Sequence, residues 1–513
     1  MSRTRKRSLT LLTPLILAIG SIVPPANAGS SGGYLTPQSA YLTLDASVPS
    51  GSSLLPIINS GDQIGSFTLP GLPDGMGVKP GRHGTVQVFL NHEESRVPFL
   101  NEADFHDSSV SKLVLSRYTG AVKAASVALP DSAGFIRFCS ATMVGPEQGF
   151  KHYTVVTNEE SNDLLDVPSG ATYGPDPSVT PQRQAGYAVL LDPASGEFRP
   201  VAGLGRMNHE NSIVVPGGWG GVTMLTGDDT FSAPSSQLYM FRTWSERALW
   251  NDRGSLWAFQ VTRTDSGKVD PWDPFNGAND YGDIELGDDW QGRFIRVPDD
   301  IARGTTGEAP QTALENWSNA NNVFQFVRVE DLDYDRNNNR VVYFTDTSTT
   351  RLVPDPTTGR LMRLSSGTGL YDNGRVFRME LSAKNPKYVK SFSILLDGDS
   401  GGPGLTGVAP ITNPDNVAAS RHSLMVQEDT TAVSSRVWNY DFGSHAWSVV
   451  ATVNDQNWES TGIVDVSKWF GPGAWLLAVQ AHGSAYWIDS EFIDPTTYKT
   501  EAGQVLLLKL PGS

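Results

Sequence analysis

Cysteine is almost missing from this chain: Cys139 is the only one in 513 residues. No internal disulfide can form, so the fold must rest on burial and hydrogen bonding. A lone thiol is a buried apolar group, a surface liability or a ligand. Charge is also thin, at 18% of residues, and it leans one way. Lys and Arg number 39 against 55 Asp and Glu, giving a formal net charge of -16 and a pI of about 4.9. That balance excludes nonspecific nucleic-acid binding, which needs a basic surface. Long helical periodicity is missing too, and the best candidate, Ser245 to Leu249, spans little more than one turn. No apolar run is long enough for a membrane helix, so no transmembrane segment is expected. The CxxC and HExxH spacings of standard zinc sites and the Gly-x-Ser-x-Gly elbow are absent as well.

What is present begins with an export signal. Arg3, Arg5, Lys6 and Arg7 precede an apolar stretch from Leu9 to Val23, and Ala26-Asn27-Ala28 has the small-x-small form of a cleavage site. A signal peptide over residues 1–28, cleavage after Ala28 and a secreted or extracytoplasmic location are expected. No two arginines are adjacent there, which leaves both the Sec and twin-arginine routes open. Residues 29–513 read as one domain. Within it, residues 251–314 are polar and aromatic, with Trp272-Asp273-Pro274 and Gly287-Asp288-Asp289-Trp290. They read as an insertion, a lid over a channel, or the outer strands of a blade.

The composition includes 51 Gly, 33 Pro and 13 Trp, which suits a turn-rich β protein with a filled core. Six apolar runs each stop in a polar, mostly acidic tag. They are 86–94, 153–160, 221–229, 340–346, 423–429 and 475–482, ending in tags such as Asn91-His92-Glu93, Asn158-Glu159-Glu160 and Glu428-Asp429. Runs of this length, rich in Val, Tyr and Phe, read as buried strands. Repetition suggests blades around a common axis, with carboxylates delivered to one end as ligands for hard cations. The segment Asp333 to Asn339 superficially resembles a calcium loop. Asn338 and Phe344 stand where an EF-hand needs Gly and Glu, so it reads as a hairpin turn.

Cys139 sits in the apolar, aromatic context Phe135 to Thr142, while Glu93, Glu159, Glu210 and Glu330 flank apolar runs. A thiolate among carboxylates points to a transition metal beside hard cations. Taken in order, Asn91-His92-Glu93, Cys139, Thr157-Asn158-Glu159-Glu160, Asn208-His209-Glu210, Arg328-Val329-Glu330-Asp331, Pro414-Asp415-Asn416 and Gln427-Glu428-Asp429 resemble the PhoX-type alkaline phosphatases. The resemblance runs from about Asp74 to His482 and departs at Val329, where the family has Pro.

The resemblance implies an all-β, six-bladed β-propeller with a metal site in the central channel and irregular insertions. It implies a secreted, metal-dependent phosphomonoesterase that releases phosphate from organic phosphoesters and uses Fe and Ca. By motif match Cys139 would bridge an iron pair, and Glu93, Glu159, Glu210 and Glu330 would be carboxylate ligands. Asn158 and Arg328 would contact phosphate, and Asp415, Asn416 and Asp429 match motifs without an assigned role. The partners implied are small phosphoester substrates, with a monomeric chain and no nucleic acid. The alternatives are another propeller hydrolase, such as a calcium-dependent lactonase or phytase-like esterase, and a non-catalytic extracellular binding propeller.

Overall fold

All six apolar runs are strands in the computed structural model. The structure describes residues 32–93, 108–230, 236–349, 352–357, 360–363, 373–483, 487–488, 491–492 and 501–511. The expected signal peptide lies outside the described residues. Each apolar run is the second strand of an antiparallel pair, and we number the pairs in chain order. They are β1 (Pro73–Pro80) with β2 (Thr85–His92), β3 (Phe138–Val144) with β4 (Thr154–Glu159), and β5 (His209–Val214) with β6 (Val222–Asp228). Next come β7 (Val329–Tyr334) with β8 (Val341–Asp346), β9 (Pro414–Ala419) with β10 (Ser423–Glu428), and β11 (Glu459–Asp465) with β12 (Ala474–His482).

The pairs extend outward into an all-β, propeller-like arrangement. Four are the inner halves of separate blade-like sheets of four or five strands. The other two pairs, β5–β6 and β7–β8, lie at opposite ends of one ten-stranded sheet. The odd-numbered strands line the axis, each packing beside the next, and β11 returns to β1. Closure of this ring is sealed by chain ends: Ser53–Asn59 pairs with Glu501–Lys509 in the β11–β12 sheet.

The residue types explain the architecture. Even-numbered strands are apolar along their length because blades pack against both of their faces. The ten-stranded sheet curls around an aromatic cluster in which Phe259, Phe344, Phe377 and Phe392 come from its strands and Phe324 and Phe326 from the segment leading into β7. Burying each ring contributes roughly 1.5–3 kcal/mol, which favours a curled sheet over a flat one.

Residues 251–314 supply Ser255–Thr264 and Trp290–Arg296 to this sheet. Between these two strands Gly267–Lys268 pairs back on Ser255–Thr264, and the chain then leaves the sheet. The longest helix among the described residues, Pro310–Ala320, closes the segment. Asp333 to Asn339 is the hairpin turn expected, with Asp335 Oδ1 accepting from the Asn337 and Asn338 amides at 2.6 and 3.2 Å.

Candidate metal centre and phosphate site

One irregularity recurs in every pair and builds the site. The β1–β2 register passes from Pro73↔His92 to Met76↔Leu90, so Asp74 and Gly75 together face Asn91. The same two-against-one bulge sets Cys139-Ser140 opposite Asn158, Glu210-Asn211 opposite Gly227, Glu330-Asp331 opposite Thr345, and Asp415-Asn416 opposite Gln427. In the sixth pair it falls at Gly462-Ile463. A β-bulge bends its strand and re-aims a side chain. Here it turns five ligand-type residues, Asp74, Cys139, Glu210, Glu330 and Asp415, toward one end of the axis.

The residue facing each bulge ties it to the next blade. Asn91 Nδ2 donates to Ser140 O at 2.7 Å, and Asn158 Nδ2 donates to Glu210 O at 2.5 Å. Thr345 Oγ1 donates to Asp415 O, and Gln427 Oε1 accepts from the Ile463 amide at 3.1 Å. Gly227 has no side chain to reach with; a Cβ there would lie 2.5 Å from Val329 O, so the next blade's backbone occupies that space. Asn158 therefore sits in the wall, where its amide also reaches Ser140 Oγ and Ser212 Oγ.

The acidic tags divide their labour by position. The last strand residue clamps the loop leading into the neighbouring inner strand. Glu159 Oε1 accepts from the Ile136 amide at 3.1 Å, Asp346 Oδ2 from Val327 at 2.7 Å, and Glu428 Oε1 from Thr412 at 2.8 Å. The following residue, as in Glu93, Glu160, Asp229 and Asp429, lies at the axial site. Glu159 makes its ion pair with Arg183, at 2.6 and 2.8 Å, with both side chains fully buried. The structure thus brings Glu160, rather than Glu159, together with Cys139 and Glu210.

Two groups of potential ligands share one sulfur. Asp74, Glu93 and Cys139 form the first, and Cys139, Glu160 and Glu210 the second, with the ligand atoms of each group within 4.8 Å of one another. Cys139 Sγ donates to Asp74 Oδ2 at 3.0 Å, and Gln480 Nε2 joins Asp74 Oδ2 to Glu93 Oε1 at 3.0 and 2.8 Å. Both Glu210 carboxylate oxygens are buried without a hydrogen-bond partner among the described residues. A buried carboxylate without donors is costly unless a cation meets it, so this donor set fits bound metal. Burial, then the charges of Asp74 and Glu210, pushes the Cys139 thiol well above its ordinary pKa. Burial first and neighbouring acids second likewise raise Asp74, Glu160, Glu210, Glu330, Asp415 and Glu459. A cation would reverse both effects.

Arg328 stands over this well. Its Nε and Nη2 donate to the two Asp229 oxygens at 2.8 and 3.0 Å, and Nη2 lies 3.1 Å from Glu330 Oε1. Burial works against its charge, but Asp229 and Glu330 outweigh burial and hold its pKa above the ordinary value. Glu459 and Asp429 adjoin Asp415. Sequence reasoning did not single out Asp74 and Glu160, which the structure groups with the thiol, or Asp229 and Glu459, which adjoin Arg328 and Asp415. The doublets Glu159-Glu160, Asp228-Asp229 and Glu428-Asp429 carried the usable signal: one acid clamps, the next faces the axis. Ser140, Asn211, Asp331 and Asn416, the second residues of four bulges, line an 860 Å³ cavity.

A family model described as alkaline phosphatase PhoX matches residues 142–460. The chain belongs to this family. It is by that membership a phosphatase, a phosphoester hydrolase, of a metal-dependent class. Among solved structures it is similar to Pseudomonas fluorescens PhoX in complex with vanadate, a transition-state analogue. That likeness has a TM-score of 0.60 at 14% identity, covering 92% of this chain and 98% of that one. It shows a shared fold. A soluble aldose sugar dehydrogenase from Escherichia coli, in the apo-form, gives a TM-score of 0.36 at 9% identity over 90% of this chain and 99% of its own, too distant to inform the site. No curated protein matches the chain by sequence.

Proposed function

We propose that the chain is an exported phosphomonoesterase with a mixed metal centre at the axial well. The observation that carries this is the single thiol shared by two carboxylate groups around Cys139. Iron is assigned to the two Cys139 groups, because a thiolate selects a transition metal. Calcium is assigned to the all-oxygen wall of Glu330, Asp415, Asp429 and Glu459. The ten-stranded sheet counts, on this reading, as two blades joined by Trp290–Arg296, which gives six blades. The tripartite N-terminal segment supports secretion.

Bound metals would offset the charge of the substrate and supply an activated oxygen nucleophile. The protein's own contribution is position. Asp229 and Glu330 hold the Arg328 fork at the mouth, where a phosphate dianion would meet a planar donor rather than a bare carboxylate wall. Asn158 fixes the Glu210 backbone, and Glu159 fixes the loop before Cys139, so the ligand-bearing bulges need no rearrangement on binding. Asn158 and Glu159 act from the wall in this proposal, while Glu93, Cys139, Glu160, Glu210 and Glu330 face the metals.

Elemental analysis of the purified mature protein, paired with hydrolysis of an aryl phosphate, tests the assignment. Iron and calcium together with monoester turnover are expected. Calcium alone without phosphatase activity would overturn it in favour of another propeller hydrolase.

A further inference from the structure

We propose that Arg137 is a second phosphate-binding cation, and that it sets a preference for phosphomonoesters over phosphodiesters. This rests on the phosphatase reading above.

Residues two positions before a bulge ligand recur in the left-handed region: Leu72 at φ 42°, Arg137 at 44°, Arg328 at 68° and Asn413 at 49°. Their partners are Asp74, Cys139, Glu330 and Asp415. Non-glycine residues seldom adopt this conformation, and it persists where the surrounding structure enforces it. The conformation belongs to the scaffold, since Leu72 shares it. What differs is the side chain it presents. Two of the four positions carry arginine, so Arg137 on the lead-in to β3 is the counterpart of Arg328 on the lead-in to β7.

Both guanidinium groups face the same acids. Glu160, Glu93, Cys139 and Asp229 surround Arg137, and Asp229, Glu330 and Glu160 surround Arg328. Arg137 meets Glu160, Arg328 meets Asp229, and these two acids are themselves hydrogen-bonded, so the two cations stand at opposite ends of one carboxyl pair. Each stays in partial contact with solvent, with side-chain exposures of 25% and 19%, while the acids between them are buried. Arg328 grips Asp229 at 2.8 Å, whereas Arg137 Nη1 stands 3.9 Å from Glu160 Oε1.

Substrate class follows from charge. A phosphomonoester is a dianion with three non-bridging oxygens, and a diester is a monoanion with two. One arginine fork and the metals can satisfy a diester. A second fork on the opposite side has a full partner only in the monoester or in inorganic phosphate.

The test compares the full-length mature protein with Arg137→Asn and Arg137→Lys. Asn tolerates left-handed backbone, so the first variant removes the charge and keeps the local fold. Metal content, kcat/KM for an aryl phosphate and for a bis-aryl phosphate, and binding of inorganic phosphate by calorimetry are measured on each. Arg137→Asn should keep its metals, hold diester kcat/KM within about threefold, and lose about tenfold or more in monoester kcat/KM and phosphate affinity. Arg137→Lys should fall between it and the parent, keeping charge without the fork. Equal losses on both esters, or unchanged phosphate affinity, would overturn the proposal while leaving the phosphatase reading intact. A parent protein that neither binds phosphate nor hydrolyses either ester would overturn both.

Discussion

Glu159 and Glu160 are neighbours in sequence with opposed tasks, and exchanging each for glutamine separates structure from chemistry. Glu159 accepts from the Ile136 and Tyr187 amides at 3.1 Å each and from both Arg183 terminal nitrogens at 2.8 and 2.6 Å. Both partners of the ion pair are fully buried. Glu159→Gln keeps a hydrogen-bonding oxygen but leaves the Arg183 charge without its counter-charge, in a pocket walled by Phe135, Tyr173 and Tyr187. Breaking a buried pair from one side costs about 3–5 kcal/mol. At an unfolding entropy of about 2.1 cal/mol/K per residue, a chain of this length loses about 1 kcal/mol per degree, so Tm should fall by about 3–5 °C. Glu160→Gln removes one of several mutually repelling acids and should leave the metal-free Tm unchanged or higher. Calorimetry on chelator-stripped proteins, with metal analysis of the untreated ones, gives both readouts. The reasoning fails if Glu159→Gln melts like the parent but loses metal, or if Glu160→Gln keeps full metal and loses stability.

Three further outcomes are expected. Cys139→Ala should lose the transition metal while retaining its far-ultraviolet β signature, and full transition-metal content in that variant would remove the thiol from the centre. Arg328→Lys and Asp229→Asn should both lower monoester kcat/KM by about tenfold or more, the first by losing the fork and the second by releasing it; parent-like kinetics at full metal loading would exclude Arg328 from phosphate binding. Stripped of metal, the protein should lose stability as pH rises. Asp74, Glu210, Glu330 and Asp415 titrate above the ordinary carboxylate range when folded. The folded state then holds more protons than the unfolded chain, so stability falls from about pH 4 upward through those raised values. A chelated sample should melt lower at pH 8 than at pH 5.5, with calcium and iron abolishing the slope, and a flat profile would contradict the repulsion.

The even-numbered strands were legible in the sequence because blades cover both of their faces, leaving uninterrupted apolar runs such as Val341 to Phe344. Their acidic ends were legible for the same reason, as abrupt stops. The inner strands were harder to read. Residues such as Asp74-Gly75 and Glu330-Asp331 sit in bulges, where period-2 alternation breaks, and no local pattern marks a bulge whose purpose is to meet a neighbouring blade. The joining of the β5–β6 and β7–β8 pairs into one ten-stranded sheet escaped notice because Trp290–Arg296 bridges them far from any tag.

The different surroundings of Glu159 and Glu160 show where sequence reasoning runs out. In a strand, moving one position exchanges the two faces, so an acidic doublet always contains one residue for each side. Composition cannot choose between them. The choice is made by what lies behind the strand: Arg183, delivered by Gln182–Gln184 some two dozen residues on, takes the first acid and releases the second to the axis. The Glu428-Asp429 doublet repeats the logic, with Arg436 and Trp438 Nε1 taking Glu428 and leaving Asp429 beside Asp415. In these two doublets an arginine behind the strand identifies which acid is structural. That makes the position of the site a consequence of contacts on the side of the blade facing away from it.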